Sequence, residues 1–188
     1  MKIKTKHLTL KNGMEITLRA PKIKDARALL DYLYNCSIES DFVLASPESV
    51  QKRTVKGEEA WVRSFNESPD SALFLVEIDG KIAGLSEVNR SSGPKIHHRG
   101  TIGIGLRKEF WNRGIGHILF DEMIAFAAET GCAQLELGVL DNNSRARHLY
   151  EKKGFVYCGR IPKAVRQRDG SFADELMMVR MVKSGDRI

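Results

Sequence analysis

The feature that most narrows the fold of this sequence is a glycine turn, Arg113-Gly114-Ile115-Gly116-His117. It stands between an alternating apolar run that ends near Leu106 and a helical pattern that begins near Gly114. Taken alone, two glycines in a chain that has 16 mark only a tight strand-to-helix turn. The spelling excludes two other glycine loops. Leu119 stands where a dinucleotide fingerprint has its third glycine, and the chain holds no Gly-Lys-Ser or Gly-Lys-Thr for a P-loop. What remains is a helix N-terminus with unpaired N–H groups and about half a positive charge. Gly114 and Gly116 add no side chains there, so a pyrophosphate could approach.

The elements around the turn fall in a readable order. Leu8 to Leu18 alternates on both sides of Asn12-Gly13 and reads as an opening hairpin. Ala26, Leu29, Leu30 and Leu33 recur at helical spacing between about Lys24 and Asn35. A second helical region follows Ser46-Pro47, where Ser46 can cap and Pro47 can take the first helical position, and Gly57 is expected to break or bend it. Ala72–Ile78 and Lys81–Val88 flank Asp79-Gly80, another hairpin signature, and Ile96–Leu106 supplies a third antiparallel strand. After the turn come a helix ended by Gly131, a strand at Gln134–Val139, a helix ended by Gly154, and strands near Phe155–Arg160 and Ala173–Val182. No repeat or linker divides the 188 residues, so the expectation is one domain over 1–188, long enough to bury roughly 70% of its unfolded surface.

A second motif lies downstream, from Asp141 through Asn143, Ala146 and Tyr150 to Gly154-Phe155. The pair formed by R-G-x-G opening a helix and N-x-x-A-x-x-x-Y-x-x-x-G-F resembles the signature of the GNAT superfamily, the acetyl-CoA-dependent N-acetyltransferases. The resemblance is tight over about Ile96 to Phe155 and weaker over nearly the whole chain. It implies an α/β GNAT fold: a mixed central sheet of about six to seven strands, about four flanking helices and an N-terminal hairpin. In that family two neighbouring parallel strands splay apart around the pantetheine arm of the cofactor. The resemblance then implies that Ile104, Gly105 and Leu106 line that cleft, and that backbone amides of Asn112, Arg113, Gly114, Ile115, Gly116 and His117 hold the pyrophosphate. By the same matching Asn143 bonds the pantetheine and Tyr150 lies beside the thioester sulfur. Asn143 has a helix cap as its plain alternative, and Tyr150 has core packing.

The chain departs from the family at its catalytic acid. Many relatives carry a Glu on the strand before the glycine turn or on the next one, but here Thr101-Ile102-Gly103 and Gly138 occupy those places. Glu87 and Glu136 are the substitutes, with exposed strand carboxylates as the alternative for both. His97 and His98 are further candidates, since imidazole ordinarily titrates near neutrality, or they end a strand. Trp111 stands where the family often has Gln or Arg.

These readings imply acetyl-CoA as cosubstrate, and a small-molecule amine or a protein N-terminus as acceptor, attacked directly in a ternary complex. Glu39 and Asp41, in the link after the first helix, could attract a cationic amine. A noncatalytic acyl-CoA sensor is the alternative, motivated by the displaced carboxylates. A basic nucleic-acid-binding module ranks last, since a net charge of +6 is its only support. No metal is implied, and a homodimer is left open. Three cysteines, scattered at 36, 132 and 158, suit a reducing compartment better than a disulfide framework. With no apolar run of about 20 residues and no signal-peptide stretch at the N-terminus, a cytoplasmic location is expected.

Overall fold

The apolar run Ala72–Ile78, buried on both faces, and its partner Lys81–Arg90 build the centre of the sheet, and the two-residue turn between them has both residues at positive φ, Asp79 at 49° and Gly80 at 73°. The computed structural model describes residues 3–186. Its strands are β1 (Lys6–Thr9), β2 (Glu15–Arg19), β3 (Ala72–Ile78), β4 (Lys81–Arg90), β5 (Arg99–Leu106), β6 (Gln134–Leu140), β7 (Val156–Arg166) and β8 (Phe172–Met181). They form one eight-stranded sheet in the order β1-β2-β3-β4-β5-β6-β8-β7. The count exceeds the expected six to seven because the N-terminal hairpin continues the sheet, β2 pairing antiparallel with β3.

The helices are α1 (Ala26–Glu39), α2 (Pro47–Gln51), α3 (Val55–Glu67), α4 (Ile115–Glu129) and α5 (Ser144–Lys152). Ser46 caps α2 by accepting from the Ser49 amide, with Pro47 inside the first turn. The region after it is two helices rather than one bent at Gly57. The Thr54 hydroxyl opens α3 by accepting from the Gly57 amide at 3.1 Å, so Gly57 belongs to a first turn and not to a break.

Two cores sandwich the sheet. On one face α4 and α5 pack Leu119, Phe120, Met123 and Tyr150 against Phe74, Val76, Val88, Leu135, Leu137 and Met178. On the other, α1 and α3 pack Leu29, Tyr32, Val62 and Phe65 against Leu73, Leu75 and Leu85. Burying side chains of this kind stabilises by about 1.5–3 kcal/mol each. Strand alternation therefore assigns every β-residue to the α4 face or the α1 face.

β5 and β6 are parallel neighbours, but they pair only over Arg99–Thr101 with Gln134–Glu136. Beyond that, β5 stays with β4 as far as Leu106, and β6 stays with β8 as far as Leu140. Each strand is held by its outer partner while the inner edges part. The parting opens the sheet at its middle, beside the N-termini of α4 and α5. Among the described residues, no helix is long and apolar enough to cross a membrane.

Candidate active site

The splay forms a cleft of about 830 Å³ lined by both strand edges, the starts of α4 and α5, one side of α1, and the link from α1 to α3. Ile104, Gly105, Leu106, Asn112, Gly114, Gly116, His117, Asn143, Tyr150 and Glu87 all line it. Arg113 and Ile115 turn their side chains elsewhere. Arg113 donates from Nε to the Glu109 carbonyl at 3.1 Å, and Ile115 is 1% exposed in the core. These two residues can reach a ligand only through their amides.

At one end of the cleft the chain is shaped for an anion. Gly114 takes φ +85° and Asn112 φ 60°, which turns the following amides toward the start of α4. The amides of Asn112, Arg113, Gly114, Ile115 and Gly116 donate to no acceptor among the described residues, while the Gly114 carbonyl accepts from His117 and Ile118. A Cβ on Gly116 would stand 2.9 Å from a Leu149 methyl, so a larger residue here would have to push that side chain aside where α4 meets α5. Burial, reinforced by Lys153 and Lys152, lowers the pKa of His117, so its imidazole is neutral at physiological pH. Trp111 donates from its indole to the Leu106 carbonyl at 2.8 Å, and the Arg145 guanidinium lies 3.4 Å from the centre of its ring. Arg145 belongs to a run of basic residues around the two motifs that the sequence offers to the CoA phosphates, and among the described residues it has no acidic partner; its seat on Trp111 is what the sequence does not show. These groups fit the pyrophosphate of acetyl-CoA.

The Asn143 Oδ1 accepts from the Ala146 amide at 3.2 Å and so caps α5, which leaves the side-chain NH₂ free to donate into the cleft. Tyr150 is 8% exposed, with its ring among Phe120 and Phe155 at 5.0 and 6.4 Å. Its phenol has no hydrogen-bond partner among the described residues and is pushed up to about 12 by burial, against an opposing pull from Arg145.

The structure separates the two carboxylate candidates. Glu136 lies outside the cleft. Arg99 grips it, with Nη2 on Oε2 at 2.6 Å, and Gln134 adds a third hydrogen bond at 2.9 Å. The Arg99 bonds lower its pKa, which makes it a poor base. Glu87 lies in the cleft without an ion-pair or hydrogen-bond partner among the described residues, and burial raises its pKa. It stands across from Gly103 in the β4–β5 register, where a Cβ would meet its Oε1 at 3.3 Å. His97 is tied to Asp70 at 3.1 Å and to the Ser91 carbonyl at 2.8 Å, away from the cleft, and the His98 carbonyl receives the Ala133 amide. Glu39 is bound to Arg107 and the Lys108 amide, each at 2.8 Å, and Asp41 to Arg168 at 2.8 Å, so neither is free for an amine.

Three further lining groups are absent from the sequence-based set. Glu175 reaches over Gly138 from β8, and a Cβ there would collide with its carboxylate. The Ser86 hydroxyl is buried at the cleft with no hydrogen-bond partner among the described residues. Cys36 also lines it, but burial raises its thiol to about 11, so it is protonated near neutrality.

The sequence pattern of the acetyltransferase (GNAT) family matches residues 37–155. Streptothricin acetyltransferase of Streptomyces lavendulae is 32% identical over 117 residues, which are 61% of this chain; the chain spans 60% of the length of that curated relative. The crystal structure of a GNAT-family acetyltransferase from Streptococcus pneumoniae superposes with a TM-score of 0.84 at 28% identity, over 89% of this chain and 99% of that one. Spermidine N-acetyltransferase of Vibrio cholerae, solved with CoA and spermine, shares the fold at a TM-score of 0.71 and 22% identity, over 89% of this chain and 95% of that one.

Proposed function

The chain belongs to the acetyltransferase (GNAT) family, and from that premise we propose that it transfers the acetyl group of acetyl-CoA to a primary amine by direct attack in a ternary complex. One observation carries the reading: a sheet parted between β5 and β6, with the free amides of α4 at one end of the gap and the unpaired Glu87 at the other. The α4 amides and Arg145 hold the phosphates, the bare edge of β5 takes the pantetheine arm, and the Asn143 NH₂ steadies it. Acetyl-CoA supplies an activated acyl group, so the protein's work is orientation and proton handling.

An alkylammonium with a pKa near 10.4 is neutral in only about one molecule in 2000 at pH 7.1. A base must take its proton before the nitrogen can attack. Glu87 does so, because burial lifts its proton affinity and no cation among the described residues competes for it. As the N–C bond forms and the C–S bond breaks, the nitrogen gives up its second proton, which passes through solvent to the departing sulfur so that CoA leaves as the thiol, and Tyr150 donates a hydrogen bond to that sulfur. Cys36, protonated, takes no part as an acyl carrier, which favours a single transfer over a covalent enzyme intermediate.

The test is a panel of primary amines, from alkylamines and amino acids to peptide N-termini, incubated with acetyl-CoA and followed by release of free thiol. Turnover with at least one amine and formation of its N-acetyl product by mass spectrometry is expected. Acetyl-CoA binding with no thiol release from any amine would leave a sensor in place of an enzyme.

A further inference from the structure

The sheet face toward α1 carries an arrangement that proton abstraction does not require. Leu135, Leu137, Val139 and Met178 lie in the core on the α4 side, so by alternation Gly138 on β6 and Glu175 on β8 face the other way. Leu85 packs in the α1 core, and Glu87, two residues on, shares its face; a Cβ on Gly105 would stand 2.9 Å from the Tyr32 hydroxyl of α1, which puts the β5 glycines there too. The two walls of the splay are therefore built alike on this face. Each has a bare glycine, Gly103 or Gly138, covered by one carboxylate from the outer neighbouring strand, Glu87 or Glu175.

Elsewhere around the cleft this chain neutralises its acids. Arg107 binds Glu39, Arg168 binds Asp41, Arg99 binds Glu136, and Arg160 binds Asp174, which adjoins Glu175 in sequence. A chain with 30 Lys and Arg against 24 Asp and Glu has cations to spare, yet Glu87 and Glu175 have no partner among the described residues. Of the cations that line the cleft, Arg145 is held on Trp111 at the phosphate end, and Arg53 points its Nη1 at Glu58, 3.9 Å away on α3.

We infer that the acceptor amine carries a second positive charge, and that Glu175 is the side chain that selects it. The inference rests on the acetyl-transfer reading of the cleft. One ammonium reaches Glu87 and passes its proton there, which removes both charges of that pair. Glu175 then remains as the anion of the acceptor half and holds the second ammonium in place through the reaction. The backbones at Gly103 and Gly138, which these carboxylates cover, lie beyond the last β5–β6 pair and so farther apart than one strand spacing, about 4.8 Å. The acceptor therefore spans that gap with a flexible chain between its two amines.

Three acceptors of matched length distinguish the possibilities: pentylamine, 1,5-diaminopentane and 5-aminopentanoate, each followed by thiol release with wild type and with Glu175→Gln. Wild type is expected to favour the diamine over pentylamine by at least about tenfold in kcat/KM, the scale of one charge-assisted hydrogen bond. Glu175→Gln should reduce that preference by about the same factor, through KM, while a thermal melt and an acetyl-CoA titration report on its fold. Glu175→Asp should restore part of the preference, which a general packing defect would not do. Equal rates for diamine and monoamine, or an unchanged preference in Glu175→Gln, would overturn the inference and leave acetyl transfer standing. A preference for 5-aminopentanoate would overturn it in favour of Arg53 as selector. Thiol release with other amines but none of these three would likewise overturn it, whereas no release with any amine would remove the acetyl-transfer reading itself.

Discussion

Replacing Tyr150 by Phe removes one oxygen from the reaction site and almost nothing from the core. The ring stays among Phe120 and Phe155, and the hydroxyl it loses has no partner among the described residues, so no hydrogen bond within the protein is broken. The energetics follow from two proton affinities. Burial holds the phenol at about 12, whereas a departing thiol has a pKa near 8.5, so full proton transfer to sulfur is uphill by about 5 kcal/mol. Tyr150 therefore keeps its proton and stabilises the sulfur by donating a hydrogen bond. A hydrogen bond to a charged group is worth about 1.5–3 kcal/mol, which is roughly 10- to 150-fold in rate. Single-turnover acetyl transfer by rapid quench should show that loss in Tyr150→Phe, with the acetyl-CoA dissociation constant and melting temperature little changed. The wild-type rate should also show no alkaline decline from this phenol below about pH 11. Unchanged chemistry in the folded variant would leave Tyr150 a core residue, and a decline near pH 8–9 that vanishes in the variant would refute the proton-retention argument.

Glu87→Gln should lower kcat by about 10²- to 10⁴-fold and abolish the acid limb of the pH–rate profile, measured with any accepted amine. The same variant should change the pH dependence of stability. Because the folded pKa of Glu87 is raised, its contribution is fully present below the unfolded pKa and is lost as pH rises through the folded one. Melting scans should then show Glu87→Gln more stable than wild type at pH 8, with the gap closing toward pH 4. Gly114→Asp places a side chain at φ +85° and a negative charge where phosphate must approach; isothermal titration should show acetyl-CoA affinity reduced at least about 100-fold in a variant that circular dichroism reports as folded.

Elements whose cause is local were the most legible. The Asp79-Gly80 hairpin, the Ser46-Pro47 helix start and the Gly131 and Gly154 helix ends each depend on residues adjacent in the chain, and they stand where the spelling put them. The split between α2 and α3 was missed although its signal is also local: Thr54-x-x-Gly57-Glu58 places a capping hydroxyl three residues before the amide it accepts. The roles of the carboxylates were not local. Glu136 and Glu87 look alike as strand acids, and what divides them is Arg99, brought beside Glu136 by the parallel register of β5 on β6. Glu175 was hidden for a stronger reason. It reaches Gly138 only because β8 inserts between β6 and β7, and a sequence read in order gives no hint that the last strand lies inside the edge. The contact of Arg145 with Trp111 joins the first turn of α5 to a loop 34 residues earlier and was hidden in the same way.

The sheet gives up pairing and side-chain volume where the chemistry is placed, and these departures share a direction. Glycine within a strand weakens it, yet Gly103, Gly105 and Gly138 occupy the α1 face on both sides of the parting. An unpaired carboxylate drawn away from water is costly, yet Glu87 covers one of those glycines, and the unpaired Glu175 covers another. Each departure alone would be a local fault in packing or charge. Together they exchange side-chain volume for room and internal ion pairs for unmet negative charge, and both exchanges are repaired by the same event, the entry of a cationic amine. The opposite face, which receives Leu119, Phe120 and Met123 of α4, keeps Leu135, Leu137, Val139 and Ile102 in a continuous core. That core holds the splayed strands rigid while their other face stays open. The stability lost on one side of a single sheet is thus offset on the other, which lets the site be preorganised without a separate supporting domain.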